Sequence, residues 1–209
     1  MNKQKLIYGI VSMMLCVSEN AFSQRDTITI DSWQFSRSSL NVSDATQQHG
    51  TWKNVIIPHD FQIEQPWVAP SNDEHADNSD QAANVKSRLS ARGFKEMGIG
   101  WYRKVFTPTQ DWNGRRLMLE FGGIMLVGDV YLNGERIGGT EYGYVGFGID
   151  ITDKIKYGSE NVLVVKASTQ KENNSRWYTG GGLFRTVKLI LTDKQLYFAR
   201  HPLYITTND

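Results

Sequence analysis

The amino-acid sequence predicts an all-β fold, and three observations support this prediction. Short runs of β-type residues recur at strand-like spacing, few stretches show helical spacing, and one residue pair is typical of a tight hairpin turn. Such strands without alternating helices favour two packed antiparallel sheets, so we expect a jelly-roll-like antiparallel β-sandwich. In chain order the predicted strands are Thr27–Ile30, Asn54–Ile57, Gly100–Phe106, Arg115–Phe121, Asp129–Leu132, Phe147–Ile151, Asn161–Ala167 and Val187–Thr192.

Two local patterns give the clearest predictions. In the run 115–121, Leu117, Leu119 and Phe121 share one face, as in a strand with one buried side. After Leu132 the pair Asn133-Gly134 tolerates the positive φ angles of a type I′ turn. We therefore expect a half-buried strand in the first case and a β-hairpin in the second.

The amino-terminal segment has the order of a secretory signal peptide. Lys3 and Lys5 precede the apolar stretch Leu6–Val17, and the small-residue site Ala21-Phe22-Ser23 follows it. The apolar stretch is shorter than the ~20 residues that cross a bilayer as a helix. We expect residues 1–23 to be removed and the mature chain to be exported, to the periplasm or the extracellular space, without a membrane anchor.

The composition of the remaining chain excludes some classes of function. The single cysteine, Cys16, leaves with the signal peptide, so a hydrophobic core rather than a disulfide must stabilise the domain. Basic and acidic side chains are equal in number after residue 23, so the surplus of positive charge typical of nucleic-acid binding is missing. We expect no nucleic-acid partner.

Two segments interrupt the strand pattern. Residues 70–95 are polar and rich in Asn, Asp, Ser and Ala, which indicates an exposed insertion, with a helical turn near Ala82–Leu89. After Thr192 the periodicity fades, and residues 193–209 have the character of a linker. The predicted sandwich domain therefore spans residues 24–192.

The pair His59-Asp60 is the first candidate for catalytic chemistry, because an imidazole needs an orienting carboxylate to act as a base. Adjacent strand residues point in opposite directions, and no Gly-x-Ser-x-Gly elbow provides a nucleophile. A turn after Pro58, in which both side chains bond to backbone, is the favoured interpretation.

Candidate metal and nucleotide sites are also weak. The acidic residues Asp73, Glu74, Asp77 and Asp80 lack the Gly and Glu positions of a calcium loop, and the four histidines lack zinc-ligand spacing. The run Gly180–Gly182 lacks the Lys-Ser or Lys-Thr of a phosphate loop, so it suits a loop packed closely against a neighbour. The sequence implies no metal and no cofactor.

Aromatic residues are the more informative candidates for binding. Most of the tryptophans and tyrosines should fill the core, since large aromatics pack sandwiches well. Trp177 and Tyr178, flanked by Arg176 and the glycine run, are better placed for the surface. There they could stack on the apolar face of a sugar ring.

An ordered series of short motifs resembles the amino-terminal domain of glycoside hydrolase family 2, the β-galactosidase and β-glucuronidase group. The series covers most of residues 30–192, so the match is specific although each motif alone is weak. The motifs are Trp52-Lys53-Asn54-Val55, Pro58-His59-Asp60-Phe61, Gly98-Ile99-Gly100-Trp101-Tyr102-Arg103-Lys104, Phe121-Gly122-Gly123, Val130-Tyr131-Leu132-Asn133-Gly134, Tyr142-Gly143-Tyr144, Asp150-Ile151-Thr152, Asn161-Val162-Leu163-Val164-Val165, Asn174-Ser175-Arg176-Trp177-Tyr178-Thr179-Gly180 and Gly182-Leu183-Phe184-Arg185.

The resemblance implies a galactose-binding-domain-like jelly roll that binds sugar, followed by an immunoglobulin-like domain and a catalytic (β/α)8 barrel. Residues 193–209 would be the linker toward that absent second domain. The family's acid/base and nucleophile are glutamates on the barrel, where retaining hydrolysis needs paired carboxylates. A barrel takes roughly 250 residues, so no residue of this chain is assigned a catalytic role.

The resemblance also implies sugar contacts at the end of the strand that precedes the Arg-Trp motif. Many members carry Asp-Asn there, whereas this chain has Ser168-Thr169, which removes a carboxylate suited to sugar hydroxyls. The candidate substrate-binding residues are Ser168, Arg176, Trp177 and Tyr178. The implied partners are a carbohydrate, a β-galactoside or related glycan, and the carboxy-terminal domains of the same enzyme.

Three functions remain to be compared. The first is the leading, non-catalytic domain of an exported β-glycosidase, present as a fragment. The second is a free-standing carbohydrate-binding module that uses Trp177 and Tyr178. The third, a small hydrolase built on His59 and Asp60, lacks a nucleophile.

Overall fold

The computed structural model describes residues 25–68, 95–170, 178–197 and 206–207. Within these ranges the chain forms ten strands, one short α-helix and a 3-10 turn at Gln110–Trp112. The elements are β1 Asp26–Thr29, β2 Ser32–Ser36, α1 Val42–Thr46, β3 Lys53–Ile56, β4 Ile99–Phe106, β5 Arg116–Phe121, β6 Val127–Leu132, β7 Glu135–Thr140, β8 Phe147–Asp150, β9 Asn161–Ser168 and β10 Val187–Thr192.

The strands form two sheets, and within each sheet every pair of neighbouring strands is antiparallel. The smaller sheet has the order β1-β10-β5-β8, and the larger has the order β3-β2-β4-β9-β6-β7. All eight predicted strands are present with ends shifted by at most two residues. The prediction of an all-β antiparallel fold is confirmed.

One hydrophobic core joins the two sheets. Leu119 and Phe121 of β5 and Leu189 of β10 belong to the same buried cluster as Val130 of β6 and Val165 of β9. The predicted inward face of β5 is fully buried, with no exposed area at Leu117, Leu119 or Phe121. The period-two prediction for this strand is therefore confirmed.

The larger sheet is also covered on part of its outer face. Ala45 of α1 packs there with Trp101 of β4 and Val164 of β9, whereas the next residue of β4, Tyr102, points into the main core. The helix begins at a capping box, in which Asn41 and Asp44 each accept a hydrogen bond from the other's backbone N–H. Both faces of β4 are therefore buried.

The hairpin between β6 and β7 turns at the predicted pair. Asn133 has φ 52° and Gly134 has φ 88°, so both central residues have the positive φ of a type I′ turn. The hairpin prediction is confirmed.

Several predictions concern residues that the structure does not describe. The predicted signal peptide, residues 1–23, lies outside the described ranges, and so does the predicted insertion apart from Lys95. Residues 193–197 of the predicted linker are described and exposed. Within the described ranges, no helix has the length and hydropathy needed to cross a bilayer.

Candidate functional site

The candidate site lies at one end of the larger sheet, which we call the Ser168 end. There Ser168, the last residue of β9, is paired with Ile99 at the start of β4 and with Val127 at the start of β6. The Ser168 hydroxyl accepts a hydrogen bond from the backbone of Gln170, and its side chain is half-buried. The next residue, Thr169, is buried and bonds the backbone of Gly98, so β9 and β4 are fixed together here.

The run Gly180–Gly182 crosses this end in close contact with its neighbours. Gly182 exchanges backbone hydrogen bonds of 2.8 and 2.9 Å with Met125. A Cβ atom on Gly182 would stand 2.1 Å from the Tyr102 hydroxyl, and one on Gly180 would stand 2.6 Å from Asp60 Oδ2. The run is therefore packed against a second surface, as predicted.

Asp60 connects the glycine run to the loop after β3. Its Oδ1 accepts hydrogen bonds from the backbone N–H groups of Gln62 (3.0 Å) and Gly181 (2.8 Å). Its Oδ2 accepts one from the Tyr178 hydroxyl at 2.8 Å. The carboxylate of Asp60 thus fixes both the glycine run and the exposed ring of Tyr178.

His59 anchors the same loop from the core side. Its backbone N–H donates to Leu183, and its ring Nδ1 lies 2.8 Å from the Tyr102 hydroxyl. The ring Nε2 lies 3.5 Å from Glu64 Oε1. Burial lowers the pKa of His59, against the opposing effect of Glu64, and burial also raises the pKa of Tyr102. A neutral imidazole held by a protonated phenol fits these contacts.

This geometry supports the turn interpretation of His59-Asp60. The Asp60 carboxylate bonds to Gln62, Gly181 and Tyr178, while the His59 ring bonds to Tyr102, so the side chains do not form a relay. One part of the interpretation needs correction, because the His59 side chain bonds to a phenol rather than to backbone.

The structure brings two of the four predicted sugar-binding residues to the same end of the sheet. Ser168 accepts a backbone hydrogen bond from Leu126, whose neighbour Met125 pairs with Gly182, and Tyr178 precedes the glycine run. Tyr178 is 37% exposed, which leaves part of its ring accessible. Arg176 and Trp177 lie outside the described residues.

Asp60 is the site residue that the sequence does not reveal, because the favoured turn interpretation gives it backbone bonds but no contact with Tyr178 or the glycine run. The Pro58-His59-Asp60-Phe61 motif was the available signal. That motif and the glycine run belong to the same series of family motifs. The contact itself joins Asp60 to Gly181, which are 121 positions apart, so no local pattern indicates it.

Metal ligands are not assembled in the described parts of the chain, where no group of three or more His, Cys, Asp or Glu side chains converges. The acidic residues 73–80, considered above for calcium, lie outside those parts. The Ser168 end instead offers the Ser168 hydroxyl, backbone polar groups and the partly exposed Tyr178 ring, which suit a ligand that has both hydroxyls and apolar faces.

Comparison with known families identifies what these features are similar to. The family model described as glycosyl hydrolase 2 galactose-binding domain-like matches residues 95–204. That segment contains Ser168, Tyr178 and the glycine run.

Individual relatives agree with the family model. A β-galactosidase from Bacteroides ovatus is 29% identical over 195 residues, which cover 92% of this chain and 21% of the relative. A β-glucuronidase from Bacteroides fragilis is 34% identical over 116 residues, covering 53% of this chain and 17% of the relative. The chain thus spans about a fifth of the length of these curated relatives.

A solved structure extends the similarity to the fold. The crystal structure of a β-glycosidase from Bacteroides vulgatus matches with a TM-score of 0.66 and 29% identity. The match covers 80% of this chain and 20% of that one. It therefore concerns one domain of a much larger molecule.

Proposed function

The chain belongs to glycoside hydrolase family 2, through its galactose-binding-like domain, and from this we propose that it is the amino-terminal, sugar-contacting domain of a β-glycosidase. In this proposal the domain holds part of the substrate. The bond-breaking carboxylates belong to a barrel in further polypeptide, which makes the present chain a fragment of the working enzyme.

The observation that carries the proposal is the position of the Ser168 end within the segment that matches the family. Asp60 and the glycine run hold Tyr178 there, and Ser168 lies at the adjoining strand end. A sugar ring has an apolar face and a rim of hydroxyls, so an aromatic ring beside hydroxyl groups is complementary to it.

The catalytic step is assigned elsewhere because the two acids beside the Ser168 end, Asp60 and Glu64, are committed to other contacts. The Asp60 carboxylate is engaged by three donors, and Glu64 is paired with Lys53 and faces His59. Retaining hydrolysis needs two carboxyl groups about 5 Å apart that face a common bond. Neither acid is arranged for that role.

Two further parts of the proposal rest on sequence. Arg176 and Trp177 directly precede Tyr178, so we include them among the sugar contacts. The amino-terminal segment 1–23 has the character of a secretory signal peptide, so we propose that the enzyme acts outside the cytoplasm.

A domain exchange tests the proposal. This chain replaces the matching amino-terminal fifth of the Bacteroides ovatus β-galactosidase, and hydrolysis of an aryl-β-galactoside is measured for the chimaera, for the parent and for the parent without that segment. We expect activity in the chimaera and none in the deleted form. A soluble, folded chimaera as inactive as the deleted form would contradict the proposal.

The partly exposed Tyr178 ring also favours a second candidate, a free-standing carbohydrate-binding module. The isolated chain should hydrolyse no aryl-β-glycoside under either proposal. A module requires no partner, so it predicts an inactive chimaera, whereas binding of a galactoside by the isolated chain is compatible with both proposals. Activity in the chimaera favours the first proposal.

A further inference from the structure

A turn between β7 and β8 presents exposed aromatic rings that the proposed function does not use. We call residues 142–145 the aromatic turn. Tyr142 is 57% exposed, Val145 is 58% exposed and Tyr144 is 36% exposed. Large apolar side chains seldom gather on a surface without a binding role.

Hydrogen bonds on both sides hold the aromatic turn in place. The Thr140 hydroxyl accepts from the backbone N–H of Tyr142 and donates to its carbonyl, at 3.1 and 2.9 Å. The Arg185 guanidinium donates to the carbonyls of Tyr144 (3.0 Å) and Gly122 (3.3 Å). Because its backbone is already ordered, the turn loses little conformational entropy when a ligand binds.

The aromatic turn and the Ser168 end are both supported from below by Met125, which is buried. Gly143 is packed so closely that a Cβ atom on it would stand 2.6 Å from Met125 Sδ. Met125 also exchanges both backbone hydrogen bonds with Gly182 of the glycine run. The two surfaces therefore share Met125 as a common support.

The chemistry of the aromatic turn resembles that of the first surface. The rings of Tyr142 and Tyr144 are 5.7 Å apart at an interplanar angle of 58°, and Phe184 packs edge-on against Tyr144. Each tyrosine offers an apolar face and a hydroxyl, so the turn suits a ligand that has both apolar faces and hydroxyls. A purely apolar partner would leave the Tyr142 phenol group without water or a hydrogen-bonding partner.

We propose that the aromatic turn is a second carbohydrate-contacting surface, so that the domain holds a β-linked oligosaccharide longer than a disaccharide. This inference rests on the proposed function, which makes a saccharide the ligand of the Ser168 end. The ligand then reaches from Tyr178 to Tyr142 across the surface that lies above the buried Met125.

Calorimetric titration of the full chain with lactose and with a β-1,4-linked galactohexaose tests this inference. The hexaose should bind more tightly than lactose. Replacing Tyr142 by Ala should weaken hexaose binding about two- to tenfold, the usual worth of one aromatic stacking contact, and leave lactose binding unchanged. Tyr142→Phe keeps the ring and loses the hydroxyl, so it should weaken hexaose binding less than Tyr142→Ala does.

Two further variants make the experiment specific. Tyr144→Ala repeats the removal of a ring within the turn. Tyr197→Ala is the matched control, since Tyr197 is 40% exposed and stacks on Arg116, at the end of β5 opposite to Phe121. Thermal melting confirms that each variant is folded.

Three results would overturn the inference. The first is equal affinity for the two saccharides. The second is hexaose affinity that is unchanged in both Tyr142→Ala and Tyr144→Ala. The third is no binding of either saccharide. Self-association that Tyr142→Ala abolishes, without an effect on glycan binding, would make the turn an interface between copies and would likewise overturn it. The domain exchange measures hydrolysis by the chimaera rather than saccharide binding, so the proposed function and this inference can fail independently.

Discussion

The Tyr178 hydroxyl donates a hydrogen bond to Asp60 Oδ2 at 2.8 Å, and the two residues are 118 positions apart in the chain. The same carboxylate accepts from the buried backbone N–H of Gly181. One side chain therefore positions an exposed aromatic ring and satisfies a buried donor, and these two roles can be separated by mutation.

Asp60→Ala should destabilise the domain more than Tyr178→Phe. The first change leaves the Gly181 N–H buried without its acceptor, at a cost of about 1–3 kcal/mol, whereas the second removes one partly exposed hydrogen bond worth about 0.5–1.5 kcal/mol. Urea denaturation followed by tryptophan fluorescence measures both. Equal losses would show that Gly181 finds another acceptor.

Gly182→Ala should destabilise the domain by about 2–5 kcal/mol, because the new methyl group adds overpacking to the strain of a positive φ. Gly182 has φ 123°, and the Cβ would meet the buried Tyr102 hydroxyl. Gly134→Ala is the matched control, with φ 88° and open space around the Cβ, and should lose only about 1–2 kcal/mol. Thermal melting of both variants tests the difference, and similar losses would contradict the close packing of the glycine run.

Leu119→Ala should lower the free energy of unfolding by about 2–5 kcal/mol, the usual range for a leucine removed from a packed core. Leu119 is fully buried between the two sheets. Ile56→Ala, at a side chain that is 73% exposed, serves as the control and should change stability by less than about 0.5 kcal/mol. A small effect at Leu119 would argue against the sandwich core.

The stability of the domain should fall as the pH drops below about 6.5, partly because of His59. Burial lowers the pKa of the folded His59 below the usual histidine value of 6.5, although Glu64 and Asp60 act in the opposite direction and Lys53 acts in the same one. The unfolded state therefore binds the proton more readily. This contribution is complete above the unfolded pKa and is lost at lower pH.

Urea titrations at pH about 7.5 and about 5.5 measure this loss. His59→Gln removes the titrating ring and should reduce the difference in stability between the two pH values. Ile56→Ala leaves every titrating group in place and should preserve that difference. An unchanged pH dependence in His59→Gln would contradict the assignment.

Most of the fold could be predicted because local patterning and tertiary burial agree. Strand β7 is an exception: the turn before it was predicted, but its own residues show no strand pattern. Its two glycines are the physical cause. A Cβ atom on Gly138 would stand 2.7 Å from Ile149, and one on Gly139 would stand 2.2 Å from the Gly128 carbonyl. Close approach of other strands therefore requires the residue that has the poorest strand propensity, and the local signal disappears.

The other missed elements are short. In β2 the alternation of buried Trp33 and Phe35 with polar residues was present in the sequence, but it covers only five residues directly after β1. Helix α1 also has five residues, too few for helical periodicity, and only its capping box at Asn41 marked it.

The candidate site was less predictable than the fold. Ser168 followed from a family resemblance and Tyr178 from its place beside the glycine run, whereas the role of Asp60 depends on a contact with Gly181. No local pattern reports a pairing over that separation, because periodicity describes only neighbours along the chain. The order of the short motifs along the chain indicated the family.

The strand order of the smaller sheet has a consequence for synthesis on the ribosome. Strand β10 lies between β1 and β5, so both lack this partner until residue 192 has been made. Unpaired strand edges on a nascent chain can bind other chains, and non-local pairing is slow. The domain therefore has to keep β1 and β5 apart from foreign strands during translation, and β10 closes the sheet as the last of the described strands to emerge.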